Sequence, residues 1–570
     1  MSGNIAIGIQ DFSTIIQGNY FYIDKTPFIK EWWDCGDSAT LITRPRRFGK
    51  TLTMSMVEQF FSIDYAGRSD LFEHLAIWKE EKYRELQGTY PVISLSFARI
   101  KERDYEKTKQ KMCEVLRNIY IKFCYIKDSE KLTDADRAYY ERMLEENIKE
   151  TDATSSLYQL SDFLYRYYGK KVIILLDEYD TPMQEAFVDG YWDELVAFTR
   201  SLFNSTFKTN PALERGIMTG ITRVSKESVF SDLNNLKIVT TTSNEYASVF
   251  GFTEKEVFDA LEQYGHEKEK KEVKRWYDGF IFGEHKDIYN PWSILNYLDT
   301  QLYKTFWANT SANSLVGKLI QEGNRTIKEK FEKLLCGECI WSEIDEQIVY
   351  NQLNGNEKAV WSLLLASGYL KVLSYETYQD IEEGKMPKYQ LALTNLEVKL
   401  MFQGMVHDWF APVQPDYNDF VKAMLLDDVD AMNEYMNRIA IQTFSYFDTG
   451  ERASGAEPER FYHGFVLGLL VDLRDRYHLK SNRESGFGRY DVMLEPKNSK
   501  ECKAVILEFK VRNPRKEKSI QETVLSALKQ ICEKKYDADL LDKGIRKEQI
   551  YHYGFAFEGK KVLIGTDREE

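Results

Sequence analysis

The sequence predicts an α/β protein in three parts. An N-terminal parallel sheet with helices on both faces is followed by a mainly helical middle region and a C-terminal α/β domain. Three observations carry this. Short apolar, β-rich runs at 39–43, 92–97, 172–176 and 216–221 alternate with long stretches of helical spacing such as 101–127, the pattern of a parallel sheet covered by helices. From about residue 286 to 449 the helical period dominates. Beyond a small, polar, turn-forming stretch (DTGERASGAEP, 448–458), a helical segment, two strand-like runs and an amphipathic helix follow. The expected domains are therefore 1–285, 286–449 and 450–570.

Composition bounds the rest. A chain of 570 residues with 43% hydrophobic and 29% charged residues has material for several cores and is not a disordered chain. The longest apolar runs, 172–176 and 465–471, fall far short of the roughly 18 residues a membrane helix needs. Residues 1–10 show no basic or apolar signal region. The expectation is a soluble, cytoplasmic protein without a membrane partner. Seven scattered cysteines make no disulfide framework, and the Cys336/Cys339 pair has no second Cys/His pair nearby to complete a zinc site. A net charge of −14 repels phosphate overall, so a nucleic-acid partner needs a local basic patch.

Individual elements follow from punctuation. Thr26-Pro27 reads as an N-cap with Pro at the first helical position, opening a helix over 28–33, and Asn290-Pro291 repeats the logic. In the middle region a helix at 357–366 precedes two strand-like runs, 369–376 and 388–394, joined by a polar turn. This is compatible with a winged-helix-like element and equally with a generic helical insert, and the insert is the reading preferred from sequence.

Two constellations carry chemistry. The stretch TRPRRFGKT (43–51) lies between a strand and a helix, where free helix N–H groups receive phosphate. Gly49 lets the backbone approach, Lys50 reaches the β and γ phosphates, and the Thr51 hydroxyl ligates Mg²⁺. Arg46 and Arg47 add cationic charge. Arg44 occupies the position of the first glycine of the usual loop, six residues before the lysine. The run VIILLDE (172–178) then places Asp177 to hold Mg²⁺ and Glu178 to polarise the attacking water. Thr219, Thr222 and Arg223 end a later strand, within reach of a γ-phosphate or as ordinary strand-end polar residues.

At the C-terminus, alternation along 489–495 and 504–511 puts Asp491 on the face shared by Glu508 and Lys510 if the two strands pair. Two carboxylates and a carbonyl make an oxygen-only Mg²⁺ site, and a lysine beside it suits metal-assisted phosphodiester hydrolysis. Lys510, Arg512, Arg515, Lys516 and Lys518 form a local basic stretch, readable equally as a solvated loop. The helix over 519–535 carries Gln530 and Lys534 on its more polar side, with Gln530 placed to touch phosphate.

These residues carry a resemblance. With RPRRFGKT, LLDEYD (175–180), YIDKT (22–26) and DLNNL (232–236), the N-terminal part resembles the bacterial AAA-ATPase-like family, a P-loop NTPase type. With YHGF (462–465), the 488–495 strand, LEFK (507–510), Gln530-Ile531 and Tyr536, the C-terminal part resembles the restriction-endonuclease-like PD-(D/E)xK nuclease domain often fused to it. The resemblance implies ATP and Mg²⁺ as cofactors. Position by position it gives Lys50 and Thr51 to phosphate and Mg²⁺, Asp177 and Glu178 to Mg²⁺ and water, and Asp491, Glu508 and Lys510 to nuclease chemistry. Glu459, with His463 one turn on, is the candidate helix-borne acid. The leading expectation is an ATPase whose nucleotide state controls a Mg²⁺-dependent nuclease, directed at foreign or mobile DNA. The alternatives are a nucleotide-switched module that binds nucleic acid or protein without cutting, and an ATPase remodelling a protein partner. Oligomeric state is open.

Overall fold

A computed structural model describes residues 3–223, 229–230, 233–308, 314–321, 323–345, 353, 356–377, 379, 381, 385–409, 414–443, 470, 473, 476–481, 484–485, 488–489, 491–498, 502–514, 516–558 and 561–568. The chain divides into two compact units, Met1–Phe402 and Gln403–Glu570.

In the first unit, five parallel strands form one sheet: β1 (Ala39–Thr43), β2 (Val92–Ser96), β3 (Val172–Asp177), β4 (Leu213–Gly220) and β5 (Leu236–Val239), in the order β2-β3-β4-β1-β5. Every residue of β1 and β3 is buried, which explains their unbroken apolar runs: both faces of a central parallel strand are covered. The edge strand β5 escapes sequence reading because it is four residues long and mostly half-exposed. The 101–127 stretch forms a helix at Tyr105–Lys122, capped by the Asp104 carboxylate accepting from Lys107 N–H at 2.9 Å.

The two Thr/Asn-Pro signals part company. Asn290 caps as expected, its side-chain oxygen accepting from the N–H groups of Trp292 and Ser293, and opens helix α2 (Pro291–Thr300) after α1 (Lys50–Phe61). The helix Pro27–Cys35 does start at Pro27, but Thr26 provides no side-chain cap. Its hydroxyl donates to Asp24 at 2.6 Å and accepts from Ile77 N–H instead.

A small antiparallel sheet, β6 (Phe252–Thr253), β7 (Asp278–Phe282) and β8 (His285–Tyr289), follows in the order β6-β8-β7. The middle region then holds β9 (Ile340–Glu343), α3 (Glu357–Ala366), β10 (Leu370–Tyr375) and β11 (Lys388–Leu393), with an antiparallel order β10-β11-β9. A helix entering a hairpin whose second strand is flanked by an earlier strand is the winged-helix order, not that of a generic helical insert. The sequence hid β9, which is four residues long. Ala359 through Leu365 on α3 are all buried, so this helix is a packing element with no face left for a nucleic-acid groove. Gly368, left-handed at φ 84°, sits against Pro45: a Cβ there would lie 2.7 Å from the Pro45 ring.

The expected boundaries at 285 and 449 differ from the observed division after Phe402. Helix α4 (Leu396–Trp409) begins in the first unit. Helices α5 (Gln414–Leu426) and α6 (Val429–Thr443) belong to the second. Their Phe420, Met424, Met432, Tyr435 and Met436 share a core with Val492, Leu507, Phe555 and Ile564. The polar stretch 448–458 that suggested a boundary lies outside the described residues, and chain on both sides of it builds one core.

The second unit has a mixed sheet of β12 (Tyr477–Ser481), β15 (Val492–Pro496), β16 (Ala504–Val511), β17 (Ile550–Glu558) and β18 (Lys561–Thr566), in that order across the sheet. A two-residue ribbon, β13 (Glu484–Ser485) with β14 (Gly488–Arg489), lies apart from it. Helix α7 (Ile520–Lys534) buries Ile520, Val524, Leu528 and Ile531, the face expected from its spacing. The edge strand β18 is closed in an unusual way. Asn433 exchanges two hydrogen bonds with the Ile564 peptide (2.8 and 2.7 Å), and Asn437, one turn on, does the same with Val562 (2.7 and 2.9 Å). Two carboxamides thus mimic a neighbouring strand and satisfy groups that would otherwise template self-pairing.

Asn433→Ala with Asn437→Ala is expected to lower the stability of the second unit by about 2–4 kcal/mol in urea unfolding. The variant should also self-associate with concentration in sedimentation, because β18 becomes an open edge.

Candidate nucleotide and nuclease sites

The first site grows from the end of β1. Gly49 adopts a left-handed conformation (φ 81°) as the residue before α1, and Arg47 is also left-handed at φ 64°. Open space surrounds a Cβ placed on Gly49, so the glycine is required by backbone conformation, not by crowding. Lys50 is buried, and its ammonium donates to the carbonyls of Arg44 and Pro45, both at 2.9 Å. Burial lowers its pKa, and the charges of Glu178, Asp177 and Asp180 oppose that shift.

Arg44, in the place of the first glycine of the usual loop, is turned into the protein. Its guanidinium is fully buried and donates to the carbonyls of Thr43, Thr240 and Glu245 while lying 4.6 Å over the Phe282 ring. Burial pulls its pKa down to about 9. The residue in the place of a glycine anchors the loop from behind. Arg46 donates to the Gln184 side chain at 3.3 Å, and Arg47 stacks 4.2 Å over Trp292.

β3 delivers its carboxylates beside this turn. Asp177 accepts from the hydroxyls of Thr51 (2.7 Å) and Thr219. Burial raises its pKa against those two hydrogen bonds. Glu178 adopts a left-handed φ of 52°, its N–H donates to the Thr219 hydroxyl, and its carboxylate accepts from Thr181. A non-glycine residue in that region costs about 1 kcal/mol or more, the kind of strain that clusters at functional sites. Thr51 and Asp177 form an oxygen-only pair suited to Mg²⁺.

Sequence reading missed Asp180. Fully buried, it accepts from the N–H groups of Ile221 and Thr222, the Thr222 hydroxyl and Gln184. It links the end of β4 through Gln184 to Arg46. Its position before Thr181-Pro182 signals a helix start, which masks this role.

A cavity of about 350 Å³ opens over the turn. Arg46, Arg47, Gly49, Lys50, Thr51 and Glu178 line its polar side, and Ile9, Tyr22, Ile23, Phe252, Trp292 and Leu295 its apolar side. Arg223 is not among its lining residues. It borders a separate cavity of about 20 Å³ with Thr43, Thr240 and Asp345.

The second site lies on the sheet of the C-terminal unit. β15 and β16 pair antiparallel, Val492 opposite Leu507. Met493 and Ile506 pack toward α7, while Leu494, Leu507 and Phe509 face the opposite core. By alternation, Glu508 and Lys510 share the α7 side. Asp491, just before β15, accepts from the Phe509 N–H at 2.8 Å. Gln530 of α7 holds the pair: its carbonyl accepts from the Lys510 ammonium at 2.7 Å, and its amide donates to Glu508 and to the Tyr536 hydroxyl. Burial, with the charges of Glu508 and Asp491, raises the Tyr536 pKa. Gln530 thus orients the carboxylate and the lysine.

The basic stretch is weaker than its sequence suggests. Arg512 pairs with Glu558 and donates to the Glu517 and Lys518 carbonyls, while Lys516 and Lys518 are exposed. Arg515, Glu459 and His463 lie outside the described residues. Cys336 and Cys339 are exposed and not disulfide-bonded, and no helix among the described residues is long and apolar enough to cross a membrane.

Geometry therefore defines a strand-turn-helix element with a buried lysine beside two carboxylates in one unit and a carboxylate-lysine face on a mixed sheet in the other. The comparisons agree: residues 6–230 match a predicted AAA-ATPase family and residues 457–567 the PD-(D/E)XK nuclease superfamily. The chain carries an AAA-ATPase-like domain and, at the C-terminus, a PD-(D/E)XK nuclease superfamily domain. It is also 25% identical over 398 residues to "Uncharacterized protein in vnfD 5'region" of Azotobacter chroococcum mcd 1, spanning 69% of this chain and 68% of that one.

Arg44→Gly, which restores the residue usual at that place in the loop, is expected to destabilise the first unit by about 3 kcal/mol in chemical denaturation. It leaves the carbonyls of Thr240 and Glu245 buried without their donor.

Proposed function

We propose that the protein is an ATP-hydrolysing, Mg²⁺-dependent nuclease in which nucleotide state controls cleavage of nucleic acid, with foreign or mobile DNA as its target. The observation that carries the nuclease reading is Gln530 holding Glu508 and Lys510 in one hydrogen-bonded set beside Asp491. A face retained for binding alone has no need of a lysine aligned with a metal-type carboxylate.

At the first site Lys50 and the α1 N-terminus receive the β and γ phosphates, and Thr51 with Asp177 would hold Mg²⁺. The apolar wall with Tyr22 and Phe252 receives the base. Glu178 polarises the attacking water, fixed by Thr181 and by its own left-handed backbone. At the second site Asp491 and Glu508 would hold Mg²⁺, and Lys510 stabilises the charge that develops on the scissile phosphate. When bound, Mg²⁺ neutralises phosphate oxygens and lowers the pKa of its water.

Purified protein assayed with Mg²⁺, with and without ATP, on single- and double-stranded DNA and RNA tests this. Lys510→Ala is expected to lower cleavage by about 10³-fold with ATP turnover intact, and Lys50→Ala to abolish both turnover and the effect of ATP on cleavage. Absence of cleavage under every condition, with ATP turnover intact, would leave a nucleotide-switched binding protein.

Gln530→Ala is expected to reduce cleavage about 10–100-fold while nucleic-acid affinity, measured in Ca²⁺, stays near that of the parent protein.

A further inference from the structure

Three consecutive residues of the phosphate loop are gripped from outside the parallel sheet. Gly368, which leads into β10, packs on Pro45. The Arg46 carbonyl accepts from the Trp307 indole N–H at 2.9 Å and from the Asn290 carboxamide at 3.4 Å. The Arg47 guanidinium lies on Trp292. Asn290 and Trp292 start helix α2, and Trp307 follows it in the chain.

A single buried carboxylate unites these gripping segments. Glu397, in the first turn of α4, is 0% exposed. One of its oxygens accepts from the backbone N–H groups of Trp307 (2.6 Å) and Ala308 (3.4 Å), and the other accepts from the Ser293 hydroxyl (2.8 Å) on α2. Trp307 therefore has its main chain on Glu397 and its indole on the phosphate loop. Burial pushes the Glu397 carboxyl up to about 7 against these donors. A buried ionisable group that costs stability is retained where its hydrogen bonds fix a geometry. A trans peptide carries its C=O and N–H on opposite sides. Pinning the Arg46 carbonyl on Trp307 thus fixes the direction of the Arg47 N–H, one of the groups of a turn that receives phosphate.

We propose that Glu397 is a positioning residue for nucleotide binding, acting through Trp307 and the start of α2 to hold the phosphate loop in its receiving conformation. The inference rests on the reading of the 350 Å³ cavity as a nucleotide site. It gives the winged element a role at that site that needs no contact with nucleotide.

Full-length Glu397→Ala, Glu397→Gln, Trp307→Phe and Lys50→Ala would be compared by mant-ATP titration, by KM and kcat for ATP, and by thermal unfolding. Trp307→Phe keeps an aromatic ring but loses the indole N–H and part of the buried volume, so its affinity should fall about fivefold with kcat little changed, thermal unfolding reporting the packing loss separately. Glu397→Ala should weaken binding about 10–100-fold, and Glu397→Gln, which keeps an acceptor for Trp307 N–H, should recover most of that loss. Unchanged nucleotide affinity in both Trp307→Phe and Glu397→Ala, with only the melting temperature lowered, would overturn the proposal. If Glu397→Ala does not fold, Trp307→Phe alone decides it. Should Lys50→Ala also bind mant-ATP as the parent does, the nucleotide reading of the cavity fails instead, and the two failures are told apart.

Discussion

The first unit is organised around two buried cations in one short turn. Arg44 and Lys50 hydrogen-bond directly to peptide carbonyls, and burial pulls both pKa values down. A charge taken out of water is tolerated only with oxygens at hydrogen-bond distance and opposite charge nearby. Each demand shapes the surroundings. Arg44 requires the 240–245 segment and the Phe282 ring against it. Lys50 requires the carboxylates at the end of β3, and β1 and β3 end at the same edge of the sheet, flanking β4. The strain at Glu178 is one consequence: the chain must leave β3 while keeping its second carboxylate near the turn.

That constraint also explains why the winged element is not free to read nucleic acid. The face of α3 that a groove-binding helix would expose is buried, and the residue two beyond it packs on Pro45. Fold order and function are separate matters here. The same topology that presents a helix to DNA elsewhere is used in this chain as a brace for a loop. Glu397 and Trp307 extend the brace to the next peptide, so the region between the sheet and Phe402 is continuous with the first unit rather than a domain of its own.

Much of this was legible in the sequence, and the failures have physical causes. Fully buried parallel strands announce themselves, because apolar residues on both faces leave an unbroken run such as VIILLD. Alternation along 504–511 correctly separated Glu508 and Lys510 from Leu507 and Phe509, because the two sides of β16 meet different cores. Long-range polar partnerships were not legible. Nothing local to Asn433 and Asn437 says that they close a strand over a hundred residues later, nor does Arg44 declare that it faces inward. Trp307 and Glu397 belong to stretches that read simply as helix and loop.

The charge distribution carries the last step. With a net charge of −14 and Arg512 bound to Glu558, the described residues near β16 offer Lys516 and Lys518 as exposed cations, alongside Lys510 held by Gln530. Each neutralised phosphate contributes about one unit of salt dependence to binding. A footprint of two or three such cations therefore predicts weak association with a shallow salt dependence, not the tight grip of a protein that searches DNA by charge. Under the proposed reading, substrate capture then has to draw on something beyond this patch, and a divalent metal that Asp491 and Glu508 would hold is the natural supplement, since it would supply positive charge for phosphate. Binding and chemistry would thereby depend on the same two carboxylates.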